Sequence, residues 1–126
     1  MAVVLTIAEV AERTGLSPHT LRYYERDGLL LRDVERAPSG RRAYSEDDVN
    51  GIQVVARLRA TGMPVAEIRR YAQLARHGDT SVLSRLQLLQ AHRERVVAEL
   101  SETQRHLEAI ETKIALYQRM LDGDLT

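Results

Sequence analysis

The residues best suited to contact a charged partner lie in one stretch, GLSPHTLRYYERDGLL, between Gly15 and Leu30. Ser17 and Pro18 predict a helix start, because a serine hydroxyl caps free amide groups and proline suits the first helical position. On a helix, four side chains of this stretch share one face that is basic and aromatic and carries no aliphatic residue: His19, Arg22, Tyr23 and Arg26. Such a face is typical of a helix lying against phosphates and base edges, and a solvated surface is the alternative interpretation.

The elements around this stretch are predicted to position it. Leu21 and Tyr24 fall off the basic face and are expected to anchor the helix in a core. Upstream, the segment from Thr6 to Glu9 has the form of a capping box that starts an earlier helix. Gly15 separates the two helices and tolerates a left-handed turn. A helix, a glycine-containing turn and a second helix form the helix-turn-helix layout.

A hairpin is predicted after the second helix. Residues 29–31 and 41–44 would be its strands, and the turn between them contains Pro38 and Gly40. An ordinary basic loop is the alternative. As a wing, the hairpin would direct three side chains at the DNA backbone: Arg41, Arg42 and Tyr44.

Two more helices are predicted to follow the hairpin. Ser45 and the acidic residues after it start the first, because negative charge suits a helix N-terminus. The turn before Pro64 ends that helix and begins the next one. Arg59 and the hydroxyl of Thr61 are candidates for phosphate contacts near this turn, although Arg59 could equally be a plain surface charge.

The pattern TIAEVAERTGLSPHTLRYYERDGLL, followed by GRRAYSEDDV and LRATGMPVAEI, resembles the MerR family of bacterial transcription regulators over residues 1–75. The resemblance implies a mainly α fold, with a winged helix-turn-helix DNA-binding domain at residues 1–77. It also implies a homodimer that binds an inverted-repeat promoter and distorts the DNA, acting on RNA polymerase through the promoter. The predicted DNA-binding residues are His19, Thr20, Arg22, Tyr23, Arg26, Arg41, Arg42, Tyr44, Arg59 and Thr61.

The C-terminal part, residues 78–126, is predicted to be a linker and a long dimerisation helix. Twelve positions between Val82 and Leu121 are spaced alternately by four and three residues, as in a heptad repeat. Ten of the twelve carry an apolar side chain or tyrosine. A second copy of the chain is the natural partner for such a seam. Periodicity leaves parallel and antiparallel pairing open, and the family resemblance implies an antiparallel coiled coil. The predicted dimerisation residues are Leu86, Leu89, Val96, Leu100, Leu107, Ile110, Ile114 and Tyr117.

Composition narrows the possible chemistry. Eighteen basic and eighteen acidic residues cancel, so any DNA binding must use a local basic surface. Cysteine is absent, which removes disulfides, thiolate metal ligands and thiol nucleophiles. The chain is most similar to the short subgroup of the family that responds to aldehydes and other thiol-reactive compounds, but Arg57 occupies the position of that subgroup's cysteine.

Catalysis and membrane insertion are not expected. No histidine pair has metal-ligand spacing, and no nucleophile or phosphate-loop motif occurs, so neither an enzyme nor a cofactor is predicted. The chain contains no apolar run near the ~20 residues of a membrane span and no signal-peptide pattern, which predicts a cytoplasmic protein without membrane contact.

A second interpretation makes the coiled coil the functional end of the molecule. The chain would then be a non-catalytic interaction or DNA-architectural protein, and its small head would be a docking module. The basic face of the second helix and the basic hairpin favour the promoter-binding interpretation. The inducer, the target promoter and the direction of regulation are left open by the sequence.

Overall fold

Helices dominate the fold, which confirms the mainly α class. The computed structural model describes residues 4–124 of the chain. In chain order the elements are α1 (Ile7–Thr14), α2 (Pro18–Arg26), β1 (Glu35–Arg36), β2 (Arg42–Ala43), α3 (Glu46–Ala60), α4 (Val65–Arg76), a 3₁₀ turn (Gly78–Ser81) and α5 (Val82–Leu121).

The predicted helix starts are present as capping interactions. In the capping box of α1, the Glu9 amide donates to the Thr6 hydroxyl at 3.2 Å, and the Thr6 amide donates to the Glu9 carboxylate at 3.1 Å. Ser17 caps α2 by accepting from the Thr20 amide at 3.1 Å. Gly15 ends α1 with φ of 75°, a left-handed conformation that favours glycine. These local interactions confirm the helix-turn-helix layout.

A single apolar core lies under the helix-turn-helix. Leu21 and Tyr24 of α2 are buried in it, as predicted, together with Val10 of α1. Helix α3 contributes three buried apolar residues on one face: Val49, Ile52 and Val55. This packing leaves the opposite face of α2 on the surface of the molecule.

An ion pair joins the C-terminal end of α1 to the N-terminal end of α3. The two terminal nitrogens of Arg13, Nη1 and Nη2, donate to the two carboxylate oxygens of Glu46, at 2.7 and 2.8 Å. These hydrogen bonds lower the pKa of Glu46 and raise the pKa of Arg13. The pair ties the first helix of the helix-turn-helix to the helix that follows the wing.

The first strand of the wing lies later in the chain than the sequence predicted, whereas the second strand, Arg42–Ala43, lies within the predicted residues 41–44. Leu29 and Leu30 are not a strand: the Leu29 amide donates to the Tyr24 carbonyl of α2 at 2.9 Å, and both side chains are buried in the core. The first strand is Glu35–Arg36, and it pairs antiparallel with Arg42–Ala43. A run of three leucines therefore indicated burial rather than a β-conformation.

The base of the wing is joined to the chain before α1. Leu5 and Tyr44 form an antiparallel bridge, in which the Leu5 amide donates to the Tyr44 carbonyl at 2.7 Å and the Tyr44 amide donates back at 2.9 Å. Because Leu5 immediately precedes the capping box of α1, this bridge attaches the wing to the start of the helix-turn-helix.

The chain contains two compact units, one ending at Leu89 and the other beginning at Gln90. The first unit therefore extends past the expected boundary at residues 77 and 78 and includes the first turns of α5. Helix α5 is 40 residues long, which corresponds to a length of about 60 Å. The long uninterrupted helix predicted for this region is confirmed.

Candidate nucleic-acid interface

The outer face of α2 presents the residues that were predicted to share it. The side chains of His19 and Arg22 are exposed, and Tyr23 is half-buried. The guanidinium of Arg26 lies over the Tyr23 ring, 5.8 Å from its centroid, and its Nε is 3.3 Å from an Asp27 carboxylate oxygen. Three of the four side chains are thus exposed, and the face carries positive charge beside the Tyr23 ring, which also packs against the core.

Thr20 lies at the beginning of this face. Its hydroxyl accepts a hydrogen bond of 3.0 Å from the hydroxyl of Ser17, the residue that caps α2. Thr20 therefore takes part in the cap while remaining half-exposed next to His19.

A groove of about 550 Å³ joins α2 to the wing and to the start of α1. Arg22 borders it from α2, and Arg41 borders it from the turn just before β2. Arg36 and Arg42, which are partners across the two strands, complete its basic wall. The structure thus brings together three predicted residues of the site and adds Arg36, which was not predicted because the first strand was expected earlier in the chain.

Glu25 contacts two of these arginines. One carboxylate oxygen lies 3.4 Å from Nη2 of Arg36, and the other forms an ion pair with Nε of Arg42. Arg42 was predicted to reach DNA, but its side chain is half-buried against α2. Among residues 4–124, the guanidinium groups of Arg22 and Arg41 have no ion-pair partner, so these two remain available for an anionic ligand.

Tyr44 was predicted to contact DNA from the wing, and the structure contradicts this assignment. Its side chain is 0% exposed and belongs to the core. Burial raises the pKa of the Tyr44 hydroxyl, which has no hydrogen-bond partner within the described part of the chain. The bridge to Leu5 directs this tyrosine inward, so its role in the wing is packing.

Arg59 and Thr61 lie at the end of α3 and do not line the groove. The Thr61 hydroxyl donates to the Leu58 carbonyl at 2.6 Å, and an Arg59 guanidinium nitrogen donates to the Met63 carbonyl at 3.4 Å. Both side chains therefore support the turn between α3 and α4 in the free protein.

Two arginines of α4 hold the segment that follows α2. Nε of Arg69 donates to the Asp27 carbonyl at 2.8 Å, at the C-terminus of α2. Arg76 donates to the Leu30 carbonyl at 3.1 Å and forms an ion pair with Asp33 at 2.6 Å. Neither role was visible in the sequence, because the contacting residues are more than forty positions apart along the chain.

The predicted dimerisation seam divides between the two units. In the first unit, Leu89 packs against the core of the head, together with its neighbour Leu88, which the seam did not include. Val96 is half-buried. The remaining predicted seam residues are large apolar side chains with about half or more of their surface exposed in the single chain: Leu86, Leu100, Leu107, Ile110, Ile114 and Tyr117.

Other kinds of site are not found in residues 4–124. No cluster of three or more histidine, aspartate or glutamate residues could hold a metal ion there. Within the same residues, no helix is both long and apolar enough to cross a membrane.

The fold and the groove together define a DNA-binding protein of the winged helix-turn-helix class. The MerR HTH regulatory protein family matches residues 5–75, and the MerR DNA-binding family matches residues 49–105. The chain therefore belongs to the MerR family of transcriptional regulators. It is a regulator with a DNA-binding domain and not an enzyme.

Individual relatives agree with this assignment. An HTH-type transcriptional regulator of Haemophilus influenzae is 34% identical over 114 residues, which cover 90% of this chain and 84% of the relative. AdhR, an HTH-type transcriptional regulator of Bacillus subtilis, is 38% identical over 93 residues, which cover 74% of this chain and 66% of AdhR. The crystal structure of HiNmlR, a MerR family regulator lacking the sensor domain, bound to promoter DNA, superposes with a TM-score of 0.79 at 33% identity and covers 93% of this chain and 92% of that one.

Proposed function

We propose that the protein binds an inverted-repeat promoter sequence as a homodimer, distorts the DNA and so controls transcription by RNA polymerase. The observation that carries this proposal is the groove in which Arg22 of α2 and Arg41 of the wing lie together without carboxylate partners among the described residues. Helix α2 and the wing present positive charge on the same side of the DNA-binding domain. Together they can contact the major groove, the minor groove and the backbone of one duplex.

Arg22 and Arg41 have different roles in this proposal. Arg22 projects from the exposed face of α2, and an α-helix fits the major groove of B-DNA, which is about 12 Å wide. A guanidinium there can donate two hydrogen bonds to the O6 and N7 atoms of guanine. Arg41 precedes β2 in the wing and is placed for a phosphate, which positions the protein but carries no sequence information.

The exposed seam of α5 supports the homodimer. Large apolar side chains rarely form a continuous exposed stripe on a monomeric protein, because each one gains free energy when it leaves water. Leu100, Leu107, Ile110 and Ile114 repeat at the coiled-coil spacing and are all at least half exposed in the single chain. A second copy has the same stripe, so a twofold interface would cover both at once.

Two joined heads would bind two half-sites related by the same twofold axis. HiNmlR was crystallised bound to promoter DNA, which supports a promoter as the ligand of this chain as well. Distortion of the DNA is the step that would link binding to transcription, because it changes how two promoter elements face RNA polymerase. Its energy would come from the additional contacts that the bent duplex allows.

Selection from a pool of random duplexes tests the proposal with the purified full chain. We expect enrichment of an inverted repeat and two chains per duplex by sedimentation. The enriched duplex should also show bending in a circular-permutation gel assay. Enrichment of a single, non-repeated site, or a complex with one chain per duplex, would rule out the dimeric mode of binding.

A further inference from the structure

The two strands of the wing place like charges directly opposite each other. Arg36 of β1 is the cross-strand partner of Arg42 in β2. Like charges at opposite positions destabilise an antiparallel pair. Each strand is also only two residues long, and an isolated two-stranded hairpin is marginally stable at best in water. The wing therefore needs stabilisation from outside its own ladder.

Glu25 of α2 supplies a charge between these two arginines. Its Oε1 atom is 3.4 Å from Nη2 of Arg36, and its Oε2 atom contacts Nε of Arg42. The side chains of Glu25 and Arg42 are only 23% and 24% exposed. Because both are largely screened from water, their attraction is stronger than that of a pair on the open surface.

We propose that Glu25 is a positioning residue that clamps the wing onto the recognition helix, an inference that rests on the proposed function. Glu25 lies three positions after Arg22 on α2, so the clamp is adjacent to the side chain assigned to base recognition. Holding Arg36 and Arg42 at Glu25 sets the distance between Arg22 and the wing. Arg42 thereby becomes part of the clamp, and Arg41 is the wing residue that contacts phosphate.

The clamp also sets how selectively the head binds. With Glu25 in place, one carboxylate offsets part of the positive charge of two arginines beside the DNA-binding groove. Without it, both guanidinium groups would be free to neutralise phosphates on any sequence, and the wing would no longer be held at one distance from α2. The clamp should therefore weaken sequence-independent binding while it strengthens recognition of the selected site.

Hydrogen exchange of the free protein tests the clamp without DNA. In Glu25→Gln, which keeps the size of the side chain and removes its charge, amides of residues 35–44 should exchange about tenfold faster, because the wing opens locally more often. Amides of α3 should keep their wild-type protection. Glu12→Gln makes the same charge change at an exposed position of α1 and should leave wing exchange unchanged. Wild-type exchange of the wing in Glu25→Gln would refute the clamp.

DNA binding provides the second test, with the selected duplex and a scrambled duplex of equal length. Glu25→Gln should bind the scrambled duplex more tightly, with a salt slope steeper by about one unit, because a further phosphate contact releases condensed counterions. The ratio of selected to scrambled affinity should fall about tenfold, the loss expected for one disturbed base contact. A simple folding defect would instead weaken binding to both duplexes. It would leave the difference between their two salt slopes as it is in the wild-type protein.

A double-mutant comparison shows whether Glu25 acts through its partner. The specificity ratio of Glu25→Gln combined with Arg42→Gln should match that of Glu25→Gln alone, because either change already breaks the clamp. Additive losses in the specificity ratio would mean that Arg42 contributes to sequence discrimination independently of Glu25. If the wild-type protein itself showed no preference for a selected duplex, the proposed function would fail, and hydrogen exchange would still decide whether the clamp exists.

Discussion

Replacing Leu100 with aspartate is expected to separate the two protomers. Leu100 lies at a seam position of α5 and is 63% exposed in the single chain, so it has room to pack only against a partner. In the proposed dimer, the substitution places a carboxylate in the apolar seam of each protomer. An unpaired charge in such a seam is strongly unfavourable, whereas the same charge on a free helix remains in water.

The size of the effect follows from the apolar contact that is lost. Burying one leucine side chain contributes about 1.5–3 kcal/mol, and a twofold interface contains two copies, which gives about 3–6 kcal/mol. Because 1.4 kcal/mol changes an equilibrium constant tenfold, the dimer dissociation constant should rise by roughly 10²–10⁴-fold. The free energy of unfolding of the single chain should change by less than about 0.5 kcal/mol, as is usual for a substitution at an exposed position.

Sedimentation equilibrium over a range of concentrations measures this dissociation constant directly. Ser101→Asp is the matched control, since it adds the same charge one residue away from the seam and should leave the dimer intact. Binding to the selected duplex should weaken in parallel with the loss of dimer, because two half-sites are no longer held by one assembly. A Leu100→Asp protein with the wild-type dissociation constant would refute the placement of the interface.

Four further outcomes are expected. Arg22→Ala should weaken binding to the selected duplex by about 1–3 kcal/mol in fluorescence anisotropy, whereas Arg41→Ala should weaken selected and scrambled duplexes equally. Tyr44→Phe should raise the urea midpoint or leave it unchanged and should not alter DNA affinity, because the buried hydroxyl has no hydrogen-bond partner among the described residues. Glu46→Gln should lower the free energy of unfolding above about pH 5. The difference in this free energy between the variant and the wild type should shrink as the pH falls through the lowered pKa of Glu46, because protonation removes the charge that pairs with Arg13. Diamide or aldehyde treatment should leave DNA binding unchanged, because thiol chemistry requires a cysteine and the sequence contains none; a response that a reducing agent reverses would contradict this.

Local chemistry was sufficient to predict the helices. The caps at Thr6, Ser17 and Ser45 form between residues three positions apart, so their hydrogen bonds depend on adjacent sequence alone. The left-handed turn at Gly15 and the uninterrupted α5 are equally local features. For the same reason, the exposed face of α2 could be placed correctly from helical spacing.

The wing could not be predicted in the same way. Leu29 and Leu30 have side chains that suit a buried strand, but the Leu29 amide bonds back to the Tyr24 carbonyl of α2, and both side chains are buried without pairing to another strand. Short strands also carry little periodic signal, and their register depends on the partner strand. Only the folded chain pairs Arg36 with Arg42 and brings Glu25 between them.

Arg42 and Tyr44 were assigned to DNA because both belong to the predicted wing. Residues two positions apart in a strand lie on the same face, so these two side chains point the same way. Which way they point depends on what covers that face. The bridge to Leu5 and the contact with Glu25 place it against α2 and the core, which buries Tyr44 and half-buries Arg42. The sequence determines that Arg42 and Tyr44 lie on the same face of the strand. Contacts between residues far apart in the chain determine that this face points inward.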